Sequence, residues 1–326
     1  MPMTSLTASF AKEQPHINTA LAEATEALPS SVVHIARYVL GHGGKRLRPL
    51  LTVFTARLFG YASDDIYSLA AAMEMFHVAT LLHDDVMDNA ELRRGQTATH
   101  KQYGVTEAIL TGDALLAKGN QLIASFGDPR LTEAASDAIL RTTAGEIMEI
   151  ANQGKYLPNL MTYQDIIEGK TAWMIRTSCR VGALRAGVSD ELVNLAAEYG
   201  YNLGMAFQVV DDILDFAPSS QTGKPKGGDL REGKLTPPIF FYIESLPQAE
   251  RGQFLAKFSG MSFSEEELAG TVEAIHRQSC DKSWNLADTF LLKAREALTG
   301  MTKARQDSPQ RVILAELIDH VRNRNA

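Results

Sequence analysis

Apolar residues recur at spacings of three and four over residues 66–82, 131–150, 166–181, 192–216 and 312–324. That period predicts amphipathic helices with a buried face. Alternating strand-like runs closed by hairpin turns are missing, so the expected fold class is all-α. Helices this apolar must bury themselves against one another, and the natural architecture is a single large bundle with a central cleft. No Pro/Gly/Ser-rich linker and no fixed-period repeat divides the sequence, so residues 1–326 are read as one domain. Residues 217–228, rich in Gly, Pro, Ser and Lys, read as a loop.

Two polar interruptions of this pattern carry the chemistry. Asp84-Asp85-Val86-Met87-Asp88 and Asp211-Asp212-Ile213-Leu214-Asp215 each sit inside an apolar helical run. Carboxylates are almost never buried unpaired, so these sets call for cations. On a helix the first and last Asp of each set lie one turn apart on one face, within reach of one ion. The second Asp points about 100° away, suiting it to an outer role. Oxygen-only ligation favours Mg²⁺, which is usually held by one or two carboxylates plus substrate phosphates. If the two helices face each other, ligands converge from both walls of a cleft, and the substrate brings phosphate.

Basic residues accompany both sets. Gly43-Gly44-Lys45-Arg46-Leu47-Arg48-Pro49 combines close backbone approach with phosphate donors, although a basic helix start can equally be solvated surface. Arg93-Arg94-Gly95 follows Asp88 as a candidate diphosphate clamp, and the segment from Gly227-Gly228 to Lys234 repeats the arrangement after the second set. His77 lies two turns before Asp84, where it is either a satisfied core histidine or part of the site. Lys170, Thr171 and Gln208 are polar positions in apolar helices, and Lys170 can also be read as a snorkelling stem.

Net charge is -7 and the cations form no continuous stripe, which argues against nucleic acid as a partner. Only Cys179 and Cys280 occur, without a CxxC, so neither a disulfide framework nor a zinc site is indicated and a reducing compartment is expected. Residues 1–14 lack signal-peptide and transit-peptide character, and no uncharged apolar stretch reaches the roughly 18 residues of a membrane span. A cytoplasmic location is expected.

Leu81-Leu82-His83-Asp84-Asp85-Val86-Met87-Asp88, Leu92-Arg93-Arg94-Gly95, Gly43-Gly44-Lys45 with Arg48-Pro49, Gly169-Lys170-Thr171 and the run from Phe207 to Asp215 together resemble the trans-isoprenyl diphosphate synthases of the long-chain, octaprenyl-like type. The likeness runs in unbroken order over residues 40–238, and the last ninety or so carry no usable motif. It implies the helical isoprenoid-synthase bundle, a homodimer, and condensation of isopentenyl diphosphate with an allylic diphosphate to make polyprenyl chains for isoprenoid quinones. Peripheral membrane contact for product release would go with it. By that resemblance Asp84, Asp88 and Asp211 hold Mg²⁺ on the allylic diphosphate, assisted by Asp85, Asp212 and Asp215. Arg93 touches the allylic diphosphate, while Lys45, Arg48, His77 and Arg94 hold isopentenyl diphosphate. Lys170, Thr171 and Gln208 flank the allylic C–O bond, and Lys224 and Lys234 close over the phosphates. Glu149 departs from the family, where many relatives carry Gln. A terpene cyclase would need only one diphosphate, and a non-catalytic subunit typically loses aspartates. Ala79 and Thr80 are small where short-chain relatives place a ring, so growth should pass them to roughly C30–C50, about C40 centrally, at about one turn per isoprene unit. Ile123 is the candidate floor. Ala79 and Thr80 can also be small simply to let helices pack closely.

Overall fold

The apolar spacing becomes helix along most of residues 5–41, 43–217 and 226–324, the residues that the structure, a computed structural model, describes. The helices are α1 Ser5–Glu26, α2 Ser30–Gly41, α3 Leu47–Leu58, α4 Ile66–Met87, α5 Thr99–Tyr103, α6 Val105–Ala124, α7 Pro129–Asn152, α8 Met161–Ile167, α9 Trp173–Arg185, α10 Asp190–Leu214, α11 Gly228–Arg231, α12 Pro237–Ser245, α13 Gln248–Gly260, α14 Glu265–Met301 and α15 Pro309–Arg322. Among the described residues, β structure is confined to one antiparallel pair, β1 Leu92–Arg93 with β2 Gln96–Thr97. The fold is all-α.

The helices group into two compact units. The first comprises Met1–Ile139, Thr177–Ala197 and Met301–Leu314, and the second Leu140–Arg176, Glu198–Gly300 and Ala315–Ala326.

In the first unit α3 is buried almost throughout and α4 over most of its length. Helices apolar on every side belong inside a bundle. Helix α6 lays a stripe of Ala108, Gly112, Leu115, Gly119 and Ile123 inward. A Cβ on Gly112 would collide with His83 Nε2, and one on Gly119 would lie 2.6 Å from Phe76 Cε1. The two glycines therefore let the α6 backbone rest on α4 side chains, and neither position has room for a methyl group.

In the second unit the same device sets the backbone around Lys170. A Cβ on Gly145 of α7 would lie 2.6 Å from the Lys170 backbone nitrogen, and one on Gly204 of α10 2.7 Å from Ala172 Cα. The sequence pattern predicts one helix over 166–181, but the structure interrupts it with a π-turn, Glu168–Ala172, between α8 and α9. Such wide turns occur mostly as single insertions, frequently at functional sites. Here the turn lies where Gly169 meets Gly145 backbone to backbone.

Candidate active site

Both aspartate sets occupy the last turn of a helix. Helix α4 ends because Asn89 adopts a left-handed conformation (φ 49°), with Ala90 N bonded to Asp85 O at 3.0 Å and Asn89 N to Val86 O at 3.3 Å. This is a Schellman cap with Asn in place of Gly. It places Asp84, Asp85 and Asp88 at the negative end of the helix macrodipole, where each anion is disfavoured by about 0.3–1 kcal/mol. Asp211, Asp212 and Asp215 stand at the end of α10 in the same way. Anions concentrated where the backbone already presents carbonyl oxygens create a local demand for cations.

The members of each set differ in environment. Asp85 is buried and paired with Arg93, whose Nε donates to it at 2.7 Å. Asp84 is partly buried and Asp88 exposed. In the second set Asp212 is buried, accepting hydrogen bonds from Tyr163 Oη at 2.5 Å and Gln208 Nε2 at 2.8 Å. Burial raises its pKa to about 7 against the lowering effect of those two donors, with Asp211 adding to the rise. Asp215 accepts a bond from the Asp229 backbone N–H at 3.0 Å and so caps the start of α11. Asp211 is the exposed member.

The basic motifs of the first unit meet in one place. Gly43 and Gly44 have φ of 66° and 147°, and a Cβ on Gly44 would lie 2.8 Å from Arg94 Nη1, which donates to Gly43 O. Arg94 occupies the two-residue turn of the β1–β2 hairpin with φ 52°, followed by Gly95 at φ 78°. Positive φ at both positions matches the right-handed twist of the strands but strains a residue with a Cβ. Among the described residues, three of the four non-glycine residues with positive φ, Arg46, Asn89 and Arg94, lie around these motifs. Strain persists where the surroundings over-determine it.

Among the described residues, these cations differ in their partners. Arg46 is buried against Glu74 of α4 at 2.7 Å and donates to Leu40 O at 2.5 Å. Arg48 Nε is buried without a hydrogen-bond partner among the described residues. Burial lowers the Arg48 pKa to about 10, opposed by Glu74 and reinforced by Arg94. His77 faces the same group: burial, then Arg48, Arg94, Arg93 and Arg46, hold its pKa well below the usual value, so it is neutral at pH 7. Lys45 is exposed beside them. The result is a cluster with surplus positive charge, the arrangement a diphosphate requires.

The second unit brings together Lys170, Thr171 and Gln208. Thr171 Oγ1 donates to Gln208 Oε1 at 2.8 Å, extending the chain that reaches Asp212. Lys170 Nζ lies 2.7 Å from Glu149 and 2.9 Å from Glu146, and Lys234 Nζ 3.2 Å from Glu149. Burial alone would raise the Glu149 pKa, but the two ammonium groups hold it below the ordinary value, so it is ionised. A cavity of about 150 Å³ opens among Tyr163, Lys170, Gln208, Asp212, Asp229 and Lys234. Lys224 lies outside the described residues.

Sequence reasoning misses Tyr163, Asp229, Glu74 as the partner of Arg46, and Arg324. Glu74 is the one legible signal, as the lone acid between Leu69 and Leu82 of α4. Arg324 has none, since its Nη2 reaches Asp211 Oδ1 at 2.7 Å from 113 residues away. Of the chain-length candidates, Ala79 and Ile123 are fully buried, and Thr80 Oγ1 bonds to His77 O at 2.9 Å. One turn before Ala79, the fully buried Phe76 ring fills the space above Gly119.

Among the described residues no three His, Cys, Asp or Glu side chains converge into a metal cage. Mg²⁺ does not need one, because one or two carboxylates with substrate oxygens and waters suffice. Asp84 with Asp88, and Asp211 with Asp215, each pair linked by a backbone bond across one turn (2.8 and 3.2 Å), fit that donor set.

The polyprenyl synthetase family profile matches residues 29–275. Component 2 of a heptaprenyl diphosphate synthase from Geobacillus stearothermophilus is 35% identical over 268 residues, 82% of each chain. A geranylgeranyl diphosphate synthase from Sulfolobus acidocaldarius is 36% identical over 83% of this chain and 84% of its own. Among solved structures, a polyprenyl synthase from Caulobacter crescentus CB15, complexed with calcium and isoprenyl diphosphate, superimposes with a TM-score of 0.91 at 31% identity, covering 99% of this chain and 98% of that one. With sequence and fold matched over nearly its whole length, the chain belongs to the polyprenyl synthetase family of trans-isoprenyl diphosphate synthases and is a prenyltransferase.

Proposed function

We propose that the protein condenses isopentenyl diphosphate with an allylic diphosphate and releases an all-trans polyprenyl diphosphate. The observation that carries this reading is the half-buried Arg48 side chain, set beside Arg94 and a neutral His77, with its buried Nε unpartnered among the described residues. A cation held at that cost is matched to an anion that arrives from outside. Lys45, Arg48, His77 and Arg94 bind the isopentenyl diphosphate. Arg93 binds the allylic diphosphate together with the aspartate sets, and Lys224 and Lys234 close over the phosphates.

Asp84, Asp88 and Asp211 would hold Mg²⁺, which supplies neutralising charge for the departing diphosphate, with Asp85, Asp212 and Asp215 in support. Arg93 adds a guanidinium to the same leaving group. Lys170, Thr171 and Gln208 offer ammonium, hydroxyl and amide dipoles to the allylic C–O bond and to the cation formed when it breaks. The isopentenyl double bond then attacks that cation, and the proton lost from the new chain passes to the released diphosphate. No side chain of the site is an evident base for it.

The proposed product is a long chain, roughly C30–C50 at about one helical turn per isoprene unit, passing Ala79 and Thr80 towards Ile123. It would supply the side chain of isoprenoid quinones. A second reading is favoured by Phe76: its ring closes the seam between α4 and α6 one turn past Ala79, so growth would stop nearer the geranylgeranyl length made by the archaeal relative. The proposal extends to one synthase domain over the 326 residues, a cytoplasmic homodimer, and peripheral membrane contact during product release. Among the described residues no helix is long and apolar enough to cross a membrane.

The test is incubation of purified protein with Mg²⁺, an allylic diphosphate and labelled isopentenyl diphosphate, with the product resolved by chain length. A linear polyprenyl diphosphate is expected. A cyclic hydrocarbon, or no product from the protein alone, overturns the assignment. Activity restored only by a second, different subunit would replace the homodimer with a pair, as the "component 2" relative makes worth checking.

A further inference from the structure

The C-terminal end of the chain contributes a cation to the second aspartate set. Arg324 Nη2 lies 2.7 Å from Asp211 Oδ1, and its guanidinium carbon sits 4.3 Å above the centre of the Phe207 ring. Phe207 precedes Asp211 by four residues on α10, so ring and carboxylate stand one above the other on the same helix face. Together they form a cradle with an aromatic floor and an anionic wall, the two surfaces a guanidinium prefers.

The approach is fixed from behind. Arg322, at the end of α15, stacks 4.3 Å above Trp284 and pairs with Asp288 at 2.5 Å, both on α14. Arg295 of α14 pairs with Asp319 of α15 one turn earlier. The last turn of α15 is thereby pinned, and Arg324 follows it into the cradle. Its side chain is 19% exposed against 45% for Asp211, so the arginine is the more deeply seated partner. Its second terminal nitrogen, Nη1, is buried with no hydrogen-bond partner among the described residues. The pair is thus seated but unsaturated: one ion-pair contact holds Arg324 to an oxygen that the proposed function assigns to a metal ion.

We propose that Arg324 is the resident counter-cation of Asp211, which divalent metal must displace to bind the second aspartate set. This rests on the metal-binding role proposed for Asp211. In the metal-free protein the guanidinium offsets a carboxylate crowded by Asp212 and Asp215 at the negative end of α10. Metal uptake transfers that duty to the ion and releases the end of the chain. Metal affinity at this set is accordingly lowered by the free energy of the Arg324 contacts.

The experiment is titration of the metal-free full-length protein with Mn²⁺, free ion being read by electron paramagnetic resonance, with and without inorganic diphosphate. Arg324→Gln should bind Mn²⁺ at the second set more tightly, by about fivefold to thirtyfold for the loss of one ion pair and one ring contact. Phe207→Leu should tighten it by less, and in an Asp211→Asn background Arg324→Gln should have no effect. Trypsin cleavage after Arg322 should accelerate when Mn²⁺ is added to the wild-type protein. Equal or weaker Mn²⁺ binding by Arg324→Gln, with wild-type binding intact and sensitive to Asp211→Asn, overturns the proposal alone. If neither wild-type protein nor variants take up Mn²⁺ even with inorganic diphosphate, the metal-site reading fails and the proposal with it.

Discussion

Replacing Arg48 by Met should make the protein more stable and a poorer binder of diphosphate. Burial and the neighbouring Arg94 lower the Arg48 pKa from 12.5 to about 10. At about 1.36 kcal/mol per unit, that difference is about 3 kcal/mol by which folding disfavours the charged form. The sign follows from linkage: a base whose folded pKa is depressed carries its full penalty wherever both states are charged, which is everywhere below about pH 10, and sheds it only above. Met keeps an unbranched apolar stem of similar length, so little packing is lost. Partial exposure of Arg48 reduces the gain to about 1–2 kcal/mol, or about 2–4 °C in melting temperature for a chain of this size. Inorganic diphosphate at a hundred times its Kd should stabilise the wild-type protein by about 2.7 kcal/mol. In the variant, the loss of a charge-assisted contact should weaken that binding by one to two decades, about 1.5–3 kcal/mol. The assay is thermal unfolding of both proteins without metal at pH 7.5, across a diphosphate series. An Arg48→Met protein that melts below wild type and shows the same diphosphate-induced shift would refute the reasoning.

Asp84→Ala, Asp88→Ala and Asp211→Ala should each abolish turnover; the melting temperature should hold or rise for the first two, which remove an anion from a helix C-terminus, and fall for Asp211→Ala, which strands Arg324, and near-normal rates at saturating Mg²⁺ in all three would exclude the metal assignment. Asp212 titrates at about 7 when folded against an ordinary 3.8, so the unfolded state releases its proton first and stability falls between those values as pH rises. Unfolding of metal-free Asp212→Asn should lack that slope and gain on wild type above pH 7. Ala79→Tyr should shorten the product with the first condensation retained, and Phe76→Ala should lengthen it if the ring is the floor. The latter should also cost about 3–5 kcal/mol for its cavity, and a folded Phe76→Ala enzyme with unchanged product length would clear Phe76 of that role. Arg93→Ala should raise KM chiefly for the allylic substrate and Arg94→Ala chiefly for isopentenyl diphosphate, about 1.5–3 kcal/mol each, and identical profiles would show the division to be wrong.

Local order determined what the sequence could tell. Period three-to-four hydrophobicity dictates helix whatever the helix packs against, and two aspartate pentads in apolar surroundings demand cations wherever they lie, so fold class and the residue types of the site were legible in the chain alone. Even the sorting within a pentad, with the middle Asp turned away from the first, follows from helical geometry. Pairing was not legible, because it joins residues that no sequence rule relates. Arg46 and Arg48 stand two residues apart in the same motif, and each has a buried Nε without a partner among the described residues, yet only Arg46 is paired with Glu74, and the packing of α3 against α4 decides which. The π-turn at Lys170 lies where Gly169 meets a glycine of α7, and the apolar pattern of 166–181 carries no trace of it. Arg324, in a stretch without a motif, reaches Asp211 because Trp284 and Asp288 pin the end of α15. Periodicity is a property of neighbours along the chain, whereas the charge balance of each site residue is a property of neighbours in space, and only the tertiary structure supplies those.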